Sequence, residues 1–136
     1  MANVLYDKGR QAFGDGEISW TSDNIKSVLV DADLYTVDLV NDQFLDDIPL
    51  GARTSTSLNM TSKTNVAGVM DADDTTFSAV PTSPPQEYII FYQDTGSTAT
   101  SLLIGLVDTA TGLPVTPNNG DIIVQWDDGV DKIFKL

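Results

Sequence analysis

The sequence predicts an all-β protein: an antiparallel β-sandwich with a short N-terminal helix, for which jelly-roll connectivity is one way of joining the strands. Three observations predict this class. Apolar or β-branched runs of strand length recur along the chain, turn-forming residues separate them about every ten positions, and almost no segment has helical spacing. The length of 136 residues is that of a single domain, 1–136.

The N-terminal helix is predicted over 4–13, with Asn3 as its cap and Gly14 as its end. Because terminal segments are mobile unless they dock on something, we expect segment 1–16 to dock on a neighbouring molecule. The apolar side chains available for that contact are Leu5, Tyr6 and Phe13.

In the first half of the chain, residues 18–20 and 25–30 have the composition of strands, with a polar turn between them. Residues 34–40 fit either a strand or an extended connection. Residues 44–48 predict one helical turn that ends at Pro49.

The middle of the chain predicts three short strands. Residues 53–58 are polar and β-branched, which is typical of an edge strand. Residues 66–70 and 75–80 follow as further strands. At the C-terminus, residues 121–126 and 131–136 flank an Asp-Asp-Gly turn, which predicts a hairpin between them.

The hairpin formed by 88–92 and 102–107 is apolar on both faces, whereas a surface strand should alternate. Its outer face therefore needs a cover, either the chain's own loops or another subunit. We expect Ile89 and Phe91 to line the core. The opposite face should line a subunit or shell contact, because tyrosine suits surfaces that are wet until association. That face carries Tyr88, Ile90 and Tyr92.

The composition excludes several classes of function. The net charge of −13 repels nucleic acid phosphates, and no segment approaches the roughly 20 apolar residues that span a bilayer. The absence of Cys excludes disulfides and thiolate metal sites, and the absence of His removes the usual proton shuttle. We therefore expect no nucleic acid partner, no membrane partner and no enzymatic activity.

Aspartates cluster at predicted turns, and DADD at 71–74 is the best candidate for calcium. It lacks the glycine and the distal glutamate of an EF-hand loop. Asp also favours turns, because its carboxylate accepts hydrogen bonds from nearby backbone. We therefore interpret the clusters as turns, and expect no metal and no cofactor. The other clusters are Asp31 with Asp33, Asp46 with Asp47, and Asp127 with Asp128 and Asp131.

Nearly the whole chain resembles a family of small tailed-phage virion proteins. The resemblance is carried by MANVLYDKGRQAF, IKSVLVDADLYTVDL, FLDDIP, DADDTTFSAV, YQDTGSTATSLLIGLVDTATGLPVTPNNGDIIVQWDDG and KIFKL, and the stretch from Tyr92 to Gly129 is its most specific part. Some members of this family are cement, or decoration, proteins on the capsid exterior.

The resemblance implies a non-enzymatic structural protein that binds the assembled shell and stabilises it by bridging capsomers. The implied partners are the major capsid protein and two further copies in a homotrimer. The implied location is the outer surface of the virion capsid, and the host cytoplasm during assembly. The alternatives are a tail, neck or head-fibre component, or a β-sandwich module that binds carbohydrate or calcium.

Overall fold

The strands form where β-branched, aliphatic and aromatic residues concentrate, and polar turns separate them. The computed structural model describes residues 3–136, which contain one α-helix, α1 (Asp7–Gly14), and three 3₁₀ turns at Ala32–Leu34, Leu45–Asp47 and Leu50–Ala52. The strands are β1 Val4–Leu5, β2 Ile25–Val30, β3 Arg53–Thr56, β4 Thr64–Val66, β5 Val69–Asp71, β6 Thr75–Phe77, β7 Tyr88–Gln93, β8 Leu103–Val107, β9 Ile122–Val124 and β10 Phe134–Lys135.

The strands pair antiparallel in three sheets. The largest has the order β1-β8-β7-β2-β3, the second β10-β5-β4, and the third joins β6 to β9. The prediction of an all-β, sandwich-like fold with a short N-terminal helix is confirmed. The predicted strand over 25–30 and the helical turn before Pro49 are also confirmed, and β3 lies at a sheet edge as expected.

The central strands of the five-stranded sheet are buried on both faces. Successive side chains of a strand point to opposite faces, so β7 supplies two separate cores. Ile89 and Phe91 enter the core that also contains the two smaller sheets, as predicted. Ile90 and Tyr92 enter a second core on the other side of the sheet.

The first core is built around aromatic rings. The Phe91 ring centroid lies 5.4 Å from that of Phe134, 6.1 Å from that of Trp126 and 6.4 Å from that of Trp20. The Phe13 centroid of α1 lies 5.9 Å from that of Phe134. Because these residues come from different elements, the rings join the five-stranded sheet to the helix and to β10.

The second core is closed by the chain's own connection between β2 and β3. Tyr35, Leu45 and Ile48 of this connection are buried against Ile90 and Tyr92. The hairpin therefore has the intramolecular cover that the sequence left open as one alternative. The expectation that its tyrosine-bearing face lines a subunit or shell contact is corrected, because that face is already occupied.

The N-terminus differs from its prediction. The helix begins at Asp7, because Val4 and Leu5 pair with Leu106 and Gly105 of β8 as a short strand. Asn3 does not cap the helix: its side-chain Oδ1 accepts hydrogen bonds from the backbone N–H groups of residues 108 and 109.

Glycine at position 9 lets the helix lie directly on β8, since a Cβ there would be 2.5 Å from the Leu103 carbonyl oxygen. Over residues 3–16, the N-terminal segment is thus part of the fold. The expectation that it docks on a neighbour is corrected for Tyr6, which is fully buried. Residues 1–2 lie outside the described part of the chain.

Three further predictions were wrong in detail. Residues 18–20 form no strand, although Ile18 and Trp20 are buried in the aromatic core. Residues 66–70 bend at a two-residue turn, where Ala67 has a φ of 52° and Gly68 a φ of 84°. The strands flanking Asp127-Asp128-Gly129 do not pair with each other; β9 pairs with β6 and β10 pairs with β5. Long-range pairing overrode the local turn signal.

We predict that the close contact between Phe91 and Gly105 limits which side chains fit at either position. A Cβ at residue 105 would lie 2.4 Å from Phe91 Cζ, and the Phe91 ring is itself packed against those of Trp20, Trp126 and Phe134. Gly105→Ala should therefore lower the free energy of unfolding by about 1–3 kcal/mol, and Phe91→Ala by roughly 3–5 kcal/mol. Urea unfolding measures both values.

Gly51→Ala is the matched control, because nothing lies within 4 Å of a Cβ built there. Its free energy of unfolding should stay close to that of the unmodified protein. Equal losses in Gly51→Ala and Gly105→Ala would contradict the contact. Tyr92→Ala should also destabilise the fold, because its ring is buried in the second core.

Candidate functional site

The connection between β2 and β3, residues 31–52, forms a closed loop. Its two ends meet, because the Asp31 backbone N–H donates to the Ala52 carbonyl at 3.0 Å. Loops of this length without regular strands or helices are uncommon, and those that are ordered are frequently functional. The closed loop is therefore a candidate functional site.

Backbone hydrogen bonds fix the closed loop to the rest of the protein. The Leu45 N–H donates to the Ser101 carbonyl at 2.9 Å, just before β8. The Asp7 N–H, at the start of α1, donates to the Leu39 carbonyl at 2.8 Å. The loop is thus held from two directions, and its outer surface has a defined shape.

A chain of side-chain hydrogen bonds, buried between Tyr6 and Tyr35 and partly buried at Asp42, adds a third attachment. The Tyr6 and Tyr35 hydroxyls are 3.0 Å apart, and the Tyr35 hydroxyl donates to Asp42 Oδ2 at 2.5 Å. Asp42 Oδ2 also accepts the Asp38 backbone N–H at 3.0 Å. Burial raises the pKa of both tyrosines far above the usual value, and for Tyr35 the neighbouring Tyr6 and Asp42 raise it further. These groups hold the loop in place.

The outward surface of the closed loop is acidic and aliphatic. Leu34 is 53% exposed and Leu50 is 76% exposed, and the 3₁₀ turns that carry them contact each other. No lysine or arginine occurs between Lys26 and Arg53 in the sequence. The same segment contains the aspartates Asp31, Asp33, Asp38, Asp42, Asp46 and Asp47.

Three carboxylates lie together at one edge of this surface. One oxygen from each of Asp31, Asp33 and Glu87 can be chosen so that all lie within 4.8 Å of one another. Asp31 Oδ1 accepts the Asp33 backbone N–H at 3.0 Å, and Glu87 Oε2 accepts the Ala32 N–H at 2.8 Å. Asp31 therefore has the turn-forming role that the sequence predicted. Glu87 was missed, because only the pairing of β2 with β7 brings it near.

The DADD stretch at 71–74 does not form a shared site, since its carboxylates have different partners. Asp73 Oδ2 accepts the Thr61 hydroxyl at 3.1 Å, and Asp74 Oδ1 accepts the Trp126 backbone N–H at 3.2 Å. An oxygen of Asp71 lies 4.0 Å from Lys132 Nζ. These contacts tie together elements at one end of the fold.

The residues predicted for an interface are mostly inside the molecule. Ile90 and Tyr92 are buried under the closed loop, together with Tyr6. The remaining three are half-buried: Leu5 and Phe13 pack against the aromatic core, and Tyr88 packs against the second core. The exposed residues of the closed loop were not among those predicted for an interface.

A groove of about 730 Å³ lies on the other side of the sheet, between the 109–115 loop and β9. Its walls include the aliphatic side chains of Val107, Leu113 and Ile122. The Asn3 amide at its edge is already bonded to residues 108 and 109. Polar side chains also line the groove, among them Gln125, Asp127 and Lys132.

The comparisons with known proteins gave no match, either to a protein-family model or to a protein of curated function. Across residues 3–136, no helix has the length and apolar character needed to cross a membrane.

We predict that tyrosine ionisation and unfolding are coupled at alkaline pH. Burial raises the pKa of Tyr92 to about 12, and also raises those of Tyr6 and Tyr35. A raised folded-state pKa gives stability that is fully present below the unfolded value of about 10 and lost as the pH rises above it. Tyrosinate absorbance and circular dichroism should therefore change together in an alkaline titration.

Tyr35→Phe should weaken this coupling and lower stability at neutral pH, because Asp42 loses its hydroxyl donor. Full ionisation of all tyrosines near pH 10, with an unchanged circular dichroism spectrum, would contradict burial of the Tyr6–Tyr35–Asp42 chain.

Proposed function

We propose that this protein is a non-enzymatic structural component of a tailed-phage virion, and that it decorates and stabilises the outside of the capsid. The observation that carries the proposal is the resemblance of nearly the whole chain to small phage virion proteins, most specifically over Tyr92 to Gly129. That stretch contains β8, β9 and the 109–115 loop, which borders the groove.

Two physical features support the same proposal. A net charge of −13 keeps the free protein soluble during assembly and favours binding to a surface of complementary charge. The closed loop provides an ordered outer surface with exposed aliphatic side chains, as a protein-binding face requires. Such a protein resists internal pressure by bridging neighbouring capsomers, without any chemical step.

In this proposal the partners are the major capsid protein and further copies of the chain, arranged as a homotrimer at local threefold positions. The protein is present in the host cytoplasm during assembly and on the outer capsid surface afterwards. A tail, neck or head-fibre role is the second candidate within the same class.

Co-sedimentation with empty shells tests the proposal. Shells assembled from the major capsid protein of the same genome should bind the purified protein to saturation and should resist heat better when decorated. Cryo-electron microscopy of decorated shells should show density on the outer surface at symmetry-related positions. An absence of binding to shells, with the protein found instead in purified tails, would overturn capsid decoration in favour of the second candidate.

A further inference from the structure

We propose that the outer surface of the closed loop, centred on Leu34 and Leu50, is the face that docks on the capsid, and that it fits a basic and apolar protein surface. This inference rests on the proposed function and adds to it the contacting residues and the chemistry of the partner. The proposed contact residues, Leu34 and Leu50, are not among those that the sequence predicted for an interface.

The apolar component is a pair of leucines on neighbouring 3₁₀ turns. Leu34 and Leu50 project from turns that contact each other, and both side chains remain more than half exposed. The loop buries Leu45 and Ile48 inward, so its interior is already filled. An aliphatic pair left outside a filled core gives a partner an apolar contact at the centre of the face.

The charge on this surface specifies the partner. The six aspartates of the closed loop and Glu87 are accompanied by no lysine or arginine between Lys26 and Arg53. Lys26 pairs with Asp94 at 3.0 Å, and Arg53 Nε donates to the Ile48 carbonyl at 3.1 Å. Lys26 is therefore engaged outside the loop, whereas Arg53 lies at the end of the loop and offsets one of its six aspartates, so the surface stays negative.

The same face of a second copy fits this surface poorly, because the aspartates of the two closed loops would set like charges against each other. A basic protein surface is attracted to it, which increases the association rate and selects the partner. The capsid shell is accordingly predicted to present lysine or arginine around an apolar depression at the docking position.

The rigidity of the closed loop favours docking. Its ends are joined through Asp31 and Ala52, and its middle is bonded to Ser101 and, through Tyr35 and Asp42, to Tyr6. Since the loop is ordered before it meets a partner, little conformational entropy is lost on binding.

Leu58 provides a matched control. It is 78% exposed, close to the 76% of Leu50, but it belongs to another loop, whose nearest charged residues in sequence are the basic Arg53 and Lys63. Leu34→Ser with Leu50→Ser should leave the melting temperature unchanged and weaken binding to empty shells by about tenfold or more. Leu58→Ser should leave both unchanged.

The charge is tested separately with Asp33→Asn and Asp46→Asn combined, two exposed positions of the closed loop. This variant should bind shells more weakly at low salt, and its binding should depend less on salt concentration than that of the unmodified protein.

The outcomes separate the two proposals. If the unmodified protein binds shells but the double leucine variant binds equally well, the docking face is wrong and capsid decoration stands. If the unmodified protein does not bind shells, capsid decoration and this inference both fail. If the leucine variant instead abolishes self-association seen by analytical ultracentrifugation, the face is a contact between copies and the inference is overturned.

Discussion

The rest of the structure depends on covering both faces of the β7–β8 hairpin. Phe91 and Ile89 on one side require the aromatic core, in which rings from α1, β10 and the Trp20 loop converge. Ile90 and Tyr92 on the other side require the closed loop. An uncovered face of this hairpin would expose a contiguous apolar surface, which invites association. The chain therefore provides a layer on each side of the hairpin. This requirement determines where the N-terminal helix and the loops lie.

Covering the hairpin within the chain changes which surfaces are free for a partner. The β7–β8 hairpin, the most apolar segment, is buried in the folded protein. The exposed aliphatic residues belong to the layers that cover this hairpin. On the closed loop these are Leu34, Val40 and Leu50, set among carboxylates without a basic residue in the same segment. A surface of this kind binds through a few apolar contacts and selects its partner by charge.

The sequence predicted the fold class, β2 and the central hairpin, because these depend on local composition and on runs of apolar residues. The prediction failed where pairing between strands distant in sequence determines the structure. Asp127-Asp128-Gly129 is a strong local turn signal, yet β9 and β10 have partners about fifty residues or more away. Val4 and Leu5 fit a helical pattern but gain more by pairing with β8. Likewise, Glu87 joins Asp31 and Asp33 only through the pairing of β2 with β7, which no local spacing reveals.

The central claim is that the closed loop is a structural layer of the fold and not a mobile connection. Native-state hydrogen exchange tests this directly at the Asp31 and Leu45 amides, whose hydrogen bonds close the loop and fix it near β8. Their opening free energies should lie within about 1 kcal/mol of those of the β7 amides, because the loop and the sheet should open together in global unfolding. Exchange of Asp31 and Leu45 at rates typical of unprotected loops, while β7 remains protected, would contradict the claim.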